Sequence, residues 1–303
     1  MARKREKRTM LHQVQAALDE KLRIGQSKHE AKKAGIAHEG IYSWSTYKNY
    51  LKHGNYFAQY CRHEHGCKTL AAARQYVDEY LQKLIDEGKS PYTQKLAASA
   101  LAKVYGCRTT DFMATESRIR KDIKRSRGEK SRDVNFSEEK NAELVNFCRC
   151  TGLRRSELES LGSWQLHGGE KSGWKLEIIG KGGRKRLAPI VGSQEEIKAV
   201  IDRIQRSEGL VWGKVHNGAD IHAYRAEYCT RIYKQHAREI KDIPYDAVNA
   251  GSGRKYQSEV YNCKGDLKGV KYDKAAMLIA SKALGHNRIS VIAEHYIRRE
   301  ELS

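Results

Sequence analysis

Apolar positions recur at helical spacing along the first third of the chain. Leu11, Val14, Ala17, Leu18 and Leu22 predict a helix from Met10 to Lys33, which Gly35 and Gly40 break. Ser43 or Ser45 is placed to cap a second helix carrying Tyr47, Tyr50, Leu51, Phe57 and Tyr60. Thr69 caps a third, with Ala73, Tyr76, Val77, Tyr80, Leu81 and Leu84 on one side, and Gly88 ends it. Ser90-Pro91 reads as an N-cap followed by proline at the first helical position, opening a fourth helix through Leu96, Leu101 and Val104 to Gly106. A fifth short segment is expected around Thr109–Ser117. No strand pattern interrupts the series. Residues 10–117 therefore predict an all-helical unit whose aromatic positions belong to the core rather than to base-stacking platforms.

The pattern changes after a run of charge. Eight of the fifteen residues from 118 to 132 are Lys or Arg, among them Arg118, Arg120, Lys121, Lys124, Arg125 and Arg127. Residues 118–134 read as a basic linker between two domains, and such a run suits a DNA backbone, which needs positive charge but no base readout. Residues 1–9 are a basic arm with the same potential for phosphate contact.

A second domain, 135–303, mixes helices with a small hairpin. Ser137 is placed to cap a helix with Glu138 and Glu139 in its first turn, running to Cys150. Gly152 can supply the left-handed backbone that stops it. Leu158 and Leu161 then recur at i, i+3 as on the buried face of a new helix. Arg154 is thus expected in a tight junction between packed helices, with Arg155 as its outward-facing neighbour. A guanidinium held there suits a phosphate, and it equally suits an ion pair with Glu157 across one turn.

Further on, Trp174-Lys175-Leu176-Glu177-Ile178-Ile179 alternates as a strand does, Gly180-Lys181-Gly182-Gly183 is a turn, and Arg184 to Ala188 returns toward Pro189. This is a β-hairpin with Lys181 at its tip. Ile197, Val200, Ile201 and Ile204 mark another helix, and Leu210-Val211-Trp212 a short buried stretch. Asp220 caps a helix on which His222 and Arg225 share a face at i, i+3. Residues 237–274 read as a polar elaboration with strand-like Val260 and Tyr261. A helix from Ala275 to Leu284 ends at Gly285-His286, and a last one from about Ser290 carries His295 and Tyr296. The fold class expected is mainly α with a small β-hairpin or sheet, an α+β arrangement.

Composition narrows the function. Lys plus Arg number 57 against 37 Asp plus Glu, a net charge of +20, which implies a polyanionic partner, nucleic acid first. No apolar run reaches the length of a bilayer span, and no hydrophobic signal core follows the basic start, so a soluble intracellular protein is expected. Seven cysteines without a paired CxxC predict reduced thiols. Cys61-x-His63-x-His65-x-Cys67 matches no standard zinc spacing, and the expectation there is a helix end with solvent-facing histidines. No acidic metal cluster is evident, and no metal or other cofactor is expected.

The order of the motifs carries more than any one of them. TGLRRSEL (151–158), the GKGGRKR turn (180–186), HAYR (222–225), LGH (284–286) and a near-terminal Tyr296 follow one another as in the tyrosine recombinase (phage-type integrase) family, which the chain resembles over residues 135–303. The helical N-terminal half resembles that family's core-binding domain in size and character. The resemblance implies a site-specific DNA recombinase, the integrase of a bacterial mobile element, working without metal or ATP. A phosphodiester under attack gains negative charge on its non-bridging oxygens, and fixed cations stabilise it. By resemblance, Arg154 and Arg225 would clamp the scissile phosphate and His286 would add a donor. Tyr296 would be the nucleophile of a 3′-phosphotyrosyl link. Lys181 would protonate the leaving 5′ oxygen, His222 would assist proton transfer at the tyrosine, and Glu157 would orient the arginine side. Tyr296 stands ten residues after His286, one more than the commoner family spacing. The implied partners are double-stranded DNA, further copies in a homotetramer on paired sites, and accessory DNA-bending or directionality proteins; the implied location is cytoplasmic and nucleoid-associated. The rival readings are a type IB-like topoisomerase and a non-catalytic DNA-binding protein on the same scaffold.

Overall fold

The structure, a computed structural model, describes residues 9–117, 136–180, 183–246, 253, 255–286 and 288–297. Lys181 and the linker residues Arg118, Arg120, Lys121, Lys124, Arg125 and Arg127 lie outside the described residues. The chain divides into two compact units, Met1–Asp122 and Ile123–Ser303.

The first unit is helical throughout. Thr9 caps α1 (Met10–Asp19), accepting from the backbone of His12. The single helix predicted over 10–33 is in fact two. The chain turns at Gly25, with φ of 85°, and Ser27 caps a separate α2 (Lys28–Lys33). Leu22 leaves the helical pattern to bridge Ile41. Ser43 caps α3 (Trp44–His65), which stops at left-handed Gly66. Thr69 caps the short α4 (Leu70–Ala73), and one 3-10 turn joins it to α5 (Val77–Asp86). Ser90 caps α6 (Pro91–Tyr105), with proline at the first turn as predicted. Only a 3-10 turn at Thr109–Asp111 stands for the expected fifth segment.

Val14, Leu18, Phe57, Val77, Leu81, Ala97 and Leu101 form the centre of this unit's core. Gly54 lets α1 and α3 approach, because a Cβ there would stand 2.6 Å from Val14 Cγ1. Phe57 and Tyr80 are core, as expected, but Trp44 is 56% exposed and Tyr56 47%. His65 is not solvent-facing. It stacks on Tyr76 at 3.7 Å and hydrogen-bonds the Glu79 carboxylate at 2.9 Å, while Cys61 and Cys67 are buried.

The second unit begins differently from its prediction. Ser137 caps a turn, not a helix, and α7 runs from Ala142 to Thr151. The Glu138 carboxylate is drawn off to Arg149 and Tyr224 rather than to the helix start. After α8 (Arg155–Glu159) come β1 (Leu166–His167), β2 (Lys175–Ile179) and β3 (Lys185–Pro189), an antiparallel sheet in that order. Leu176 pairs with Ala188 and Ile178 with Arg186. Ser193 caps α9 (Gln194–Gln205) and Asp220 caps α10 (Ile221–His236). In the predicted buried stretch only Val211 is fully covered; Leu210 is 53% exposed, because extended backbone alternates its side chains.

The 237–274 segment carries a second sheet, β4 (Val260–Asn262) against β5 (Lys271–Asp273). Buried Asp273 accepts from Arg238 Nε at 2.8 Å and Nη2 at 3.0 Å, and its side chain also caps α11 (Lys274–Ala283). That pairing holds the Asp273 carboxyl at about 2, against the rise that burial alone would cause. The last described helix is α12 (Ile289–His295). The unit's two cores, one around Phe147, Leu153, Leu158 and Ile178, the other around Tyr228, Ile232, Met277 and Ile292, flank the polar residues described next. Among the described residues, no helix is long and apolar enough to cross a membrane.

Candidate active site

Arg154 sits where the sequence placed it, between two helices. Gly152 ends α7 with φ of 58°, and a Cβ there would fall 2.1 Å from the Tyr228 ring, so backbone and packing both require glycine. Arg154 occupies the N-cap of α8. Its backbone N–H donates to Glu157 Oε2 at 2.8 Å and its Nη1 to Oε1 at 2.6 Å. The ion pair across one turn therefore exists, and it leaves Nη2 to point toward the Leu284 carbonyl at 3.4 Å.

Glu157 is 5% exposed and serves a second arginine. Arg186 Nη1 and Nη2 reach its two oxygens at 3.0 and 2.8 Å, and Arg186 Nε donates to the Ala283 carbonyl at 3.0 Å. Burial raises the Glu157 carboxyl, but the bonds from Arg186 and from the backbone and side chain of Arg154 outweigh it and hold the group at about 2. Glu157 is thus a permanent anion that aims two cations.

Arg225 is 1% exposed. It comes one turn into α10 and donates to the carbonyls of Gly152 and Leu284. Its Nε is buried with no hydrogen-bond partner among the described residues. Its guanidinium carbon lies 5.6 Å from the centroid of the Tyr296 ring. The His286 ring lies 5.1 Å from the same tyrosine ring, tilted by 49°. Tyr296 itself is the residue that ends α12, and Thr230 of α10 donates to its carbonyl at 3.5 Å. Tyr296 therefore touches both Arg225 and His286, and Arg154 joins Arg225 at Leu284.

His286 follows Gly285, whose φ of 69° turns the chain out of α11. Its Nε2 is buried without a hydrogen-bond partner among the described residues. Burial lowers its pKa to about 4, helped by the neighbouring charges of Arg225, Arg154 and Arg186, so the ring is neutral near pH 7. A groove of about 490 Å³ opens beside it, lined by Arg154, Arg184, Lys185, Arg186, Lys282, His286 and Arg288, with no carboxylate lining it among the described residues. Such a surface suits an anion with several oxygens.

The remaining candidates fare differently. His222 is exposed on the first turn of α10 and lines a second cavity with Arg154 and Arg225. Lys181 lies outside the described residues, between Gly180 and Gly183, whose backbones close the hairpin turn. Lys185, four residues on, pairs with Glu177 at 3.2 Å. Arg155 is not an outward-facing neighbour. Its guanidinium folds back onto the carbonyls of residues 215–219. Arg186, Lys282 and Arg288 were not singled out from sequence. Arg186 had a signal: it shares a strand face with Ala188, an inward position where an arginine needs a buried carboxylate.

No family model matches this chain, and no curated protein matches it. Among solved structures it is similar to the XerH site-specific recombinase bound to palindromic difH substrate in a post-cleavage complex, at 14% identity and a TM-score of 0.49, covering 97% of this chain and 94% of that one. It is similar also to the Tn1549 transposon integrase in complex with transposon right end DNA, at 12% identity and a TM-score of 0.47, covering 91% of this chain and 98% of that one. The chemistry assigned to this chain rests on its own residues.

Proposed function

We propose that the protein is a tyrosine-type site-specific DNA recombinase that cuts and rejoins duplex DNA through a 3′-phosphotyrosyl intermediate. The observation that carries this reading is the contact of one tyrosine, Tyr296, with a buried arginine and a neutral histidine that both keep an unpartnered N–H or ring nitrogen. A phosphoryl group seated there supplies the missing acceptor for Arg225 and a partner for His286.

In the proposed reaction the Tyr296 phenol oxygen attacks phosphorus, and the bond from phosphorus to the 5′ oxygen of the next nucleotide breaks. The phenol proton leaves with assistance from His222, and the departing 5′ oxygen receives a proton from Lys181. Arg154 and Arg225 hold the non-bridging oxygens, and Glu157 keeps Arg154 aimed. The tyrosyl ester preserves the energy of the phosphodiester, so the 5′ hydroxyl of another strand reverses the step and joins new DNA. No metal or nucleotide cofactor enters this balance. The net charge of +20 and the basic run at 118–132 support a DNA backbone partner along more of the chain. An integrase of a mobile element, acting as a tetramer on paired sites, is the biological form we propose.

The test uses nicked suicide duplexes carrying the binding site selected by the full-length protein from a random-sequence library. An SDS-resistant protein–DNA adduct with wild type, absent with Tyr296→Phe, is expected. No adduct with wild type, or an undiminished adduct with Tyr296→Phe, overturns the reading. Strand exchange between two marked sites distinguishes a recombinase from an enzyme that merely relaxes supercoils.

A further inference from the structure

Arg154 and Arg155 leave α8 in different directions. Arg155 Nη1 donates to the Val215 carbonyl at 3.0 Å and to the His216 carbonyl at 2.9 Å, and Nη2 to those of Asn217 at 3.4 Å and Ala219 at 2.9 Å. Four successive or near-successive backbone oxygens thus curl round one guanidinium. The next turn of α8 answers in kind, with Glu159 accepting from the Val215 N–H at 3.3 Å. Val215 and Ala219 are buried, and the Phe136 ring packs on His216 at 5.2 Å.

This loop leads directly into α10. Ile221 N–H donates to the Ala219 carbonyl at 3.0 Å, and Asp220 caps the helix by accepting from Ala223 at 3.1 Å. One residue separates the last carbonyl held by Arg155 from the first residue of the helix, so there is no slack between them. Downstream, α10 has other anchors: Tyr228 Oη donates to the Pro189 carbonyl at 2.7 Å, and Arg225 is held at Gly152 and Leu284. In the first turn, which bears His222, Ile221 and Tyr224 are buried and Tyr224 Oη donates to Glu138 at 2.7 Å, while the backbone that enters the turn is set by the loop. The cavity of about 470 Å³ between them is lined by Arg154, Arg155, His222 and Arg225.

We propose that Arg155 is a positioning residue for the strand-transfer reaction, its guanidinium gathering the 215–219 carbonyls so that the start of α10 presents His222 to the reacting phosphate. The proposal rests on the reading of this site as a DNA-cleaving centre. Carbonyl oxygens brought this close repel one another unless a donor with a planar, multi-pronged geometry stands between them. Arginine has that geometry, and lysine, a point charge with three donors, does not. One helix start therefore aims Arg154 forward to the phosphate and Arg155 backward to the loop.

The experiment is single-turnover cleavage of the suicide duplex, at saturating DNA, by wild type, Arg155→Ala, Arg155→Lys, His222→Ala and the Arg155→Ala/His222→Ala double variant. Cleavage by Arg155→Ala and Arg155→Lys is expected to slow by about 10- to 100-fold, the cost of a displacement near 1 Å, with the DNA dissociation constant unchanged. Added ethylguanidinium is expected to restore the alanine variant in part. The Arg155→Ala loss is expected to shrink in the His222→Ala background, because the group it acts through is gone. The lysine variant, which keeps the charge and the stem, carries the test if the alanine variant fails to fold. Wild-type cleavage rates in either Arg155 variant, or losses that multiply independently with His222→Ala, overturn the proposal. Absence of an adduct with wild type instead overturns the parent reading.

Discussion

Arg154 and Arg225 donate to one backbone oxygen, the carbonyl of Leu284. The first comes from the start of α8, the second from α10, and the acceptor closes α11 two residues before His286. Three elements meet at that atom. Two guanidiniums share a neutral acceptor there, and among the described residues the one carboxylate bonded to either of them, Glu157, lies on the Arg154 side. Like charges held this close favour an incoming anion, and the shared carbonyl fixes the distance between them before it arrives.

Arg154→Ala is expected to lower single-turnover cleavage by about 10²- to 10³-fold, the loss of one donor to a developing oxyanion. DNA affinity should change little, since one phosphate contact among many is removed. Arg225→Ala is expected to cost as much in rate and to destabilise the fold as well, because the Gly152 carbonyl is left without its donor in a site 1% exposed. Thermal unfolding beside adduct formation separates the two variants. Equal melting temperatures for both would contradict the burial argument.

Glu157 is the anion on which two arginines depend. Glu157→Gln leaves Arg154 and Arg186 without their charge partner and should destabilise by about 3–5 kcal/mol, the usual cost of breaking a buried pair on one side. The carboxyl's folded value of about 2 lies below its ordinary 4.5, so its stabilisation is full above pH 4.5 and disappears as pH falls through 2. Wild type should therefore lose stability over that acid window, and Glu157→Gln should lose less of it. Urea midpoints measured across the window decide the matter.

Much of the fold was legible in the sequence, and each exception has its own physical reason. Gly152, Ser90-Pro91, Asp220 and the period-2 hairpin are local signals, each read from a few adjacent residues, and each stands as expected. Arg155 was misread because its acceptors are backbone carbonyls some sixty residues away, which leave no mark on side-chain identity. The helix expected over 10–33 ends at Asp19, Leu22 bridges Ile41 instead of continuing it, and Gly25 with the Ser27 cap sets off a separate helix. Strand alternation places Arg186 inward, but its partner Glu157 lies 29 residues earlier, outside any local pattern.

His286 gives a second pH signature of the same sign in a higher window. Its folded pKa of about 4 lies below the ordinary 6.5, so the unfolded chain binds more protons between those values. Stability from this group is complete above pH 6.5 and falls as pH drops through 4. A bound phosphodiester brings negative charge to the ring and raises its pKa, so DNA binding at pH 6 should take up a proton. Calorimetry of DNA binding in buffers of different ionisation enthalpy should show that uptake in wild type and its loss in His286→Gln. Equal uptake in both would place the proton elsewhere.

Gly285 tests whether the hairpin and the phosphate site are mechanically joined. Its φ of 69° strains any side chain, at about 1–2 kcal/mol for a left-handed residue. A Cβ there would also stand 3.0 Å from Arg186 Cδ and 3.1 Å from its Nη1. In Gly285→Ala that pressure must move Arg186, and Arg186 holds the Glu157 carboxylate that aims Arg154. The variant should therefore lose cleavage rate while keeping DNA affinity, beyond what backbone strain alone removes. In an Arg186→Ala background the steric conflict is gone and only the φ strain remains, so the added cost of Gly285→Ala should shrink. If the cost is the same in both backgrounds, the strand arginine does not transmit to Arg154, and the glycine matters only for the turn that delivers His286.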